Sequence, residues 1–462
     1  MFLNLKTHAR PFNERGSALM AVLGVMAVTI VIGLTITAAT VNGLGVTSTN
    51  KALVQSRAAA QAGLAVVVAG LSSGSCLTSV PSTNPTSNSV VEFQDNLGTP
   101  VISCDIASQV KITSTGTAQS FGAGGASSGD TSKVEAVYQY SRTPSGAAIY
   151  LATGANFNNG GAITSSATVP AIQVKTGDLN CDNNTVITGS VVVVAGSISL
   201  KSCTVTQNAW ALETTTFPPP GGTIGGILTS AGSRPASHPI ARWDPTLPMP
   251  SVPVWTEFPY NPNDWKTPAL VPFYENIRPV TSGDCPLPNN NGALPTIFNA
   301  LACAGVSSPP NGGPGSNVIT LYDDLVIVAK KFNFTNSLEF VSSDPAVAHR
   351  VWFITPDLVP TDHVATCSPG QGAFTIGNNL TITAPIKAML YTPCAISTGN
   401  GFTWRGQMYA GTISNWNNAN FGYIGVGLPG ANLDAGTYAS GGGSPGARTV
   451  LGALVSSRDL VG

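Results

Sequence analysis

Charged side chains are scarce in this chain: Asp, Glu, Lys and Arg make up 9% of its 462 residues, against about 25% in typical soluble proteins. The 21 basic and 22 acidic residues leave a formal net charge of -1. No field of one sign exists to attract phosphates or an anionic surface, so nucleic acid is not expected as a primary partner. Histidine is scarcer still. His8, His238, His349 and His363 are widely separated and fall in no metal-ligand or catalytic-triad spacing. No Cys-x-x-Cys pair occurs, which argues against zinc. Acidic residues are too sparse to show a paired-carboxylate site; the closest couples are Asp178 with Asp182 and Asp323 with Asp324. Oxygen ligands of that kind suit calcium, but no ligand loop is complete, and turn or strand-end roles are favoured. The expectation is therefore no catalytic residue, no cofactor site and no metal site.

What replaces charge is Gly (50 residues), Pro (34) and abundant Ser, Thr and Asn, a composition for a surface that is polar without being charged. The eight cysteines are Cys76, Cys104, Cys181, Cys203, Cys285, Cys303, Cys367 and Cys394, all beyond the first apolar segment. That placement suggests export to a compartment where disulfides persist. They form four sequence-neighbour couples, and local pairing is expected, each loop contributing roughly 3 kcal/mol in the chain-entropy model.

The amino terminus carries the strongest signal. Residues 1 to 16 read MFLNLKTHARPFNERG, and the 34 residues from Ser17 to Asn50 are uncharged. The apolar part, Ser17 to Val41, exceeds the ~20 residues that span a bilayer as a helix, with the basic leader on the cytoplasmic side. It is also longer than the ~7 to 15 apolar residues of a secretory signal; cleavage near Thr37 to Ala39 is the alternative. The following segment, NKALVQSRAAAQAGLAVVVAGL, is rich in helix formers, which predicts one helix from 17 to about Leu71. Gly43 and Gly45 predict a kink in it.

A basic leader ending in Arg15-Gly16, the run SALMAVLGVMAVTIVIGLTITAAT and the helix QSRAAAQAGLAVVVAGL together resemble the type IV prepilins, especially the PilX-type minor pilins. The resemblance implies cleavage after Gly16 by a prepilin peptidase, leaving Ser17 as the mature terminus. It implies an inner-membrane anchor before assembly, and a helix that then packs against other pilin subunits in a surface filament. Two positions depart from the family pattern: Ser17 replaces the usual aromatic first residue, and Ala21 replaces the usual glutamate. In the family that carboxylate pairs with a neighbour's terminal amine, so its loss implies a minor or initiating subunit.

The fold class expected is α+β: a long pilin-type helix on an all-β head. Residues 72 to 142 read as a linker over 72 to 100, which a Cys76 to Cys104 bridge would tie, followed by a strand pair at 110 to 116 and 133 to 140. The doublets Ile172/Val174, Leu179/Cys181, Val191/Val193 and Ile198/Leu200 recur near every seven residues, and this predicts parallel β-helix rungs over 143 to 212. Leu325/Ile327, Phe332/Phe334, Leu338/Phe340, Phe374/Ile376, Leu380/Ile382 and Phe402/Trp404 predict the same over 317 to 462. A β-sandwich is the alternative. Between these blocks, residues 213 to 316 hold 20 of the 34 prolines, which excludes regular sheet there. The lobe's Trp243, Trp255, Phe258, Tyr260, Trp265, Phe273 and Tyr274 cover a solenoid flank or offer a ligand surface. The functional expectation is a non-catalytic pilus subunit. The alternatives are an anchored adhesin using residues 243 to 274, or an anchored β-helical polysaccharide-active enzyme.

Overall fold

The computed structural model describes residues 17–72, 78–95, 97–100, 107–119, 131–144, 146–166, 168–232, 242–266, 271–309, 317–359, 361–440 and 447–460. One helix, α1, runs from Ser17 to Ser72 without interruption. At 1.5 Å per residue it is about 84 Å long. Gly43 and Gly45 lie inside it and do not break it.

The carboxy-terminal third of α1 packs on a five-stranded antiparallel sheet. In spatial order its strands are Ser79–Thr83, Thr86–Gln94, Gln109–Thr117, Thr131–Pro144 and Ala447–Leu460. The helix and sheet meet through two kinds of surface. Towards the helix end, Val67 and Leu71 bury against Phe93, Val110, Ile112 and Tyr140. Further back the contact is made by small residues: Ala52, Ser56, Ala59 and Ala60 on the helix, Ser87, Ser89 and Ser114 on the strands, all buried. Ser89 donates to Ser114 at 2.9 Å, and the Ser56 and Ser132 hydroxyls are 2.8 Å apart. Gly116 lies so close to the helix that a Cβ there would sit 2.2 Å from both Ala60 N and Ser56 O.

This sheet corrects two sequence expectations. Residues 79 to 94, read as linker, form a hairpin whose inward positions include Ser87 and Ser89, so no apolar alternation marks it. Residues 447 to 460, assigned to the β-helix, instead pair with Thr131–Pro144.

Residues 146 to 440 are an insertion between those two adjacent strands, and they form a parallel β-helix. Its first strand, Ile149–Leu151, pairs with Ile172–Val174 on one side and with Met408 to Ala410 on the other. The chain therefore joins the solenoid at its middle. One arm winds outward through Val191–Val193, Ala209–Ala211 and Ile227–Thr229 to Arg242–Trp243. The chain then resumes winding at Tyr274–Ile277, at the opposite end. It returns through Thr296–Asn299, Leu325–Val328, Arg350–Ile354 and Lys387–Thr398 to Phe402–Asn415.

The three faces differ in their residue pattern. On the first, just described, strands are buried on both sides: Ile149–Leu151, Val191–Val193 and Leu325–Val328 have no exposed residue. On the other two, inward apolar residues flank an outward polar one, as in Leu179-Asn180-Cys181, Phe332-Asn333-Phe334 and Leu380-Thr381-Ile382. All ten doublets read from the sequence are strands of this kind or of the first face. The interior is a single apolar column in which Phe332, Phe334, Phe353, Phe374 and Trp404 meet in tilted and edge-to-face contacts.

The proline-rich region also departs from expectation. Strands Thr215–Thr216, Thr223–Ile224, Ile227–Thr229, Tyr274–Ile277, Asp284–Pro286, Thr296–Asn299 and Gly305–Ser307 continue the rungs through it. Prolines are tolerated because the strands are only two to four residues long and the prolines sit at corners and strand ends. Between Arg242–Trp243 and Tyr274–Ile277 the described residues hold no strand, and they form a strap laid lengthwise over the outer side of the first face.

Candidate functional site

The strap settles where the aromatic lobe goes. Trp255, Phe258 and Trp265 are at most 1% exposed. They pack with Tyr150, Trp352, Tyr391 and Tyr409 of the first face and with Leu428 and Leu433 of the segment that follows the last rung. Hydrogen bonds fasten it along its length. Tyr150 donates to Pro253 O at 3.0 Å, Lys175 to Val252 O at 2.9 Å, and Tyr391 to Thr256 O at 2.9 Å. Trp255 Nε1 donates to Asp357 at 2.8 Å, Tyr438 to Asp264, and the His363 backbone to Glu257. Burial raises the Asp357 carboxyl above its ordinary range, opposed by the Val359 and Trp255 hydrogen bonds. Burial likewise raises Glu257, opposed by the bond from His363. Trp255, Phe258 and Trp265 thus cover the solenoid flank, the first of the two readings of the lobe, and the buried carboxylates hold that cover; Tyr274 is 62% exposed.

Among the described residues, what stands unpartnered is the amino-terminal half of α1. Every large apolar side chain from Leu19 to Val46 is more than half exposed, on all sides of the helix. A helix apolar all round belongs in lipid or inside a bundle. This stretch is about 42 Å long, more than the ~30 Å hydrocarbon core of a bilayer. Its hydroxyls are also satisfied internally. Thr29, Thr35, Thr37, Thr40 and Thr47 each donate to the carbonyl four residues back, at 2.7 to 3.1 Å. Those side chains therefore carry no unmet donor into an apolar medium. The change of environment falls where charge begins: Lys51 follows the uncharged run, and Ala52 is the first residue buried on the sheet.

The remaining predicted positions are placed as follows. Ser17 is the first residue of α1, and Ala21 is exposed within the apolar stretch. Gly16, Cys76, Cys104, His8 and His238 lie outside the described residues. Three disulfides close within the solenoid, Cys181 to Cys203, Cys285 to Cys303 and Cys367 to Cys394. Asp178 serves a corner, accepting from Ser197 N at 2.8 Å. Asp323 and Asp324 meet a third residue that spacing did not reveal, His349. The signal that could have found it is register: Leu325 pairs with Val351, which stacks His349 over Asp323.

No protein family and no curated protein matches the chain. Among solved structures it is similar to the competence-associated pilin ComZ from Thermus thermophilus, at 14% identity and a TM-score of 0.27, covering 88% of this chain and 97% of that one.

Proposed function

We propose that this chain is a subunit of a type IV pilus-like surface filament, held in the inner membrane by α1 until assembly and built into the filament through the same helix. The observation that carries the reading is the split character of α1. Its first half is apolar on every side with self-satisfied hydroxyls, and its second half is docked on an antiparallel sheet that carries the β-helix as an insertion. Packing of such a helix against its neighbours after leaving lipid supplies the drive to assemble.

The finer parts of the proposal rest on the sequence. A prepilin peptidase cuts between Gly16 and Ser17. Ala21 leaves no carboxylate for a neighbour's terminal amine, so the subunit is a minor, PilX-like or initiating one. The role is non-catalytic. The test is the terminal sequence and mass of the protein recovered from the cell surface, with and without the peptidase. A start at Ser17 that depends on the peptidase supports the proposal; a start near Thr40, or an intact Met1, refutes it.

A further inference from the structure

We propose that Asp323, Asp324 and His349 form a binding site for a divalent transition-metal cation of the zinc class, at a corner of the β-helix. The metal-capable atoms of the three side chains lie within 4.8 Å of one another. Asp323 and Asp324 occupy the turn between Asn317–Leu321 and Leu325–Val328, and His349 immediately precedes the next rung, Arg350–Ile354.

His349 is what makes this more than an acidic turn. It is 6% exposed, yet among the described residues its imidazole forms no hydrogen bond; only its backbone carbonyl is engaged, by Lys387 N at 3.0 Å. The groups its ring approaches are the two carboxylates.

The frame around the site is rigid. Asn291 holds the turn, donating to Asp323 O at 2.6 Å and accepting from Tyr322 N at 2.9 Å. Asp323 Oδ1 accepts from Asp324 N at 2.7 Å. Arg350 holds Asp324 through its backbone N–H at 2.7 Å and its guanidinium at 2.7 to 2.9 Å. Those bonds orient the carboxylate without exhausting it, since each oxygen offers two acceptor directions. Two carboxylates against one guanidinium leave a local charge of about -1, which favours a divalent cation.

The nitrogen donor sets the class. Calcium and magnesium take oxygen ligands, whereas one imidazole with carboxylates suits zinc and its neighbours. Three protein ligands leave a further position to water, and the bound ion would tie two successive rungs. This replaces the calcium reading of the Asp323 and Asp324 pair and does not depend on the proposed role in a filament.

The test uses the full chain in detergent micelles, stripped with a chelator and titrated calorimetrically with zinc chloride alone. The expected result is one zinc per chain, with His349→Gln and Asp323→Asn each weakening binding more than about 100-fold at unchanged circular dichroism. Cobalt(II) loading should give a ligand-field absorption band that His349→Gln removes. Asp323 lies in a half-exposed turn, so Asp323→Asn keeps the test decisive if the His349 variant does not fold. Zinc affinity indifferent to both substitutions, or calcium bound equally well by wild type and His349→Gln, overturns the proposal.

Discussion

The contact between α1 and its sheet makes a sharp demand on a single glycine. In Gly116→Ala the new methyl would start 2.2 Å from Ala60 N and Ser56 O and 2.8 Å from Ala59 C. Comfortable carbon contacts are about 3.5 to 4.0 Å. All three obstacles are backbone, so no side chain can swing away; the helix must retreat by more than about 1 Å at that turn. Retreat loosens the packing around Ala52, Ala59 and Ala60 and stretches the Ser56 to Ser132 contact, now 2.8 Å. Overpacking of this kind costs about 1 to 3 kcal/mol, and the backbone obstacles place Gly116→Ala at the upper end. Gly43→Ala is the matched control. That glycine has nothing within 4 Å of where its Cβ would be, so the same chemical change should strengthen the helix by up to about 1 kcal/mol. Amide hydrogen exchange of the full chain in micelles reads both. Protection over residues 59 to 67 should fall in Gly116→Ala and be kept in Gly43→Ala. If Gly116→Ala leaves that protection unchanged, the close helix-to-sheet contact is wrong.

Three further outcomes are expected. Trp265→Ala, which removes a strap side chain only 1% exposed against the first face, should cost the solenoid about 3 to 5 kcal/mol in denaturant unfolding while leaving the helix and sheet protected. Replacing Cys181 and Cys203 together by serine opens a loop with a sequence separation of 22, and the loss should be about 3 kcal/mol. For pH, Glu257 and Asp357 have folded pKa values raised by burial. Such a group adds stability in full below its unfolded value and loses that contribution as pH rises through the folded value. The strap should therefore be most resistant to proteolysis under mildly acidic conditions, and Glu257→Gln should flatten that dependence. Glu92 behaves oppositely, since its hydrogen bond to Lys111 lowers its pKa, so its contribution is lost as pH falls through the folded value.

The β-helix was readable because its interior demands an apolar residue on each side of an outward one, and doublets such as Ile198/Leu200 state that demand directly. The covered face was readable too, in principle. Runs such as Val191-Val192-Val193 and Leu325-Val326-Ile327-Val328 have no polar side, which means burial on both, and the aromatic strap is what supplies the second. The first hairpin was hidden for the opposite reason. Its inward face includes Ser87 and Ser89, chosen by the nearness of Gly63 rather than by hydrophobicity. The pairing of Ala447–Leu460 with Thr131–Pro144 crosses about 300 residues, and no local pattern encodes contact at that distance. His349 was missed similarly, because its neighbours are set by rung register and not by spacing along the chain.

The order of the elements also shows how a head this large can be carried on a small helix and sheet. The solenoid leaves and rejoins the sheet between neighbouring strands, and its two ends meet: Gly146 N donates to Asp434 Oδ1 at 2.9 Å, and Ala147 packs in the same cluster as Leu433. The chain starts winding in the middle, so neither end of the column bears on the sheet through the chain. The rungs remote from the junction, around Arg242–Trp243 and Tyr274–Ile277, are joined to each other by the strap. An insertion with joined ends and its own apolar column can vary in length by adding rungs to either arm without moving the strands that flank it, provided the strap lengthens to match. The strap is therefore the element that couples the two arms. Weakening it should loosen the solenoid from its outer rungs inward and leave α1, with its apolar half, positioned as before.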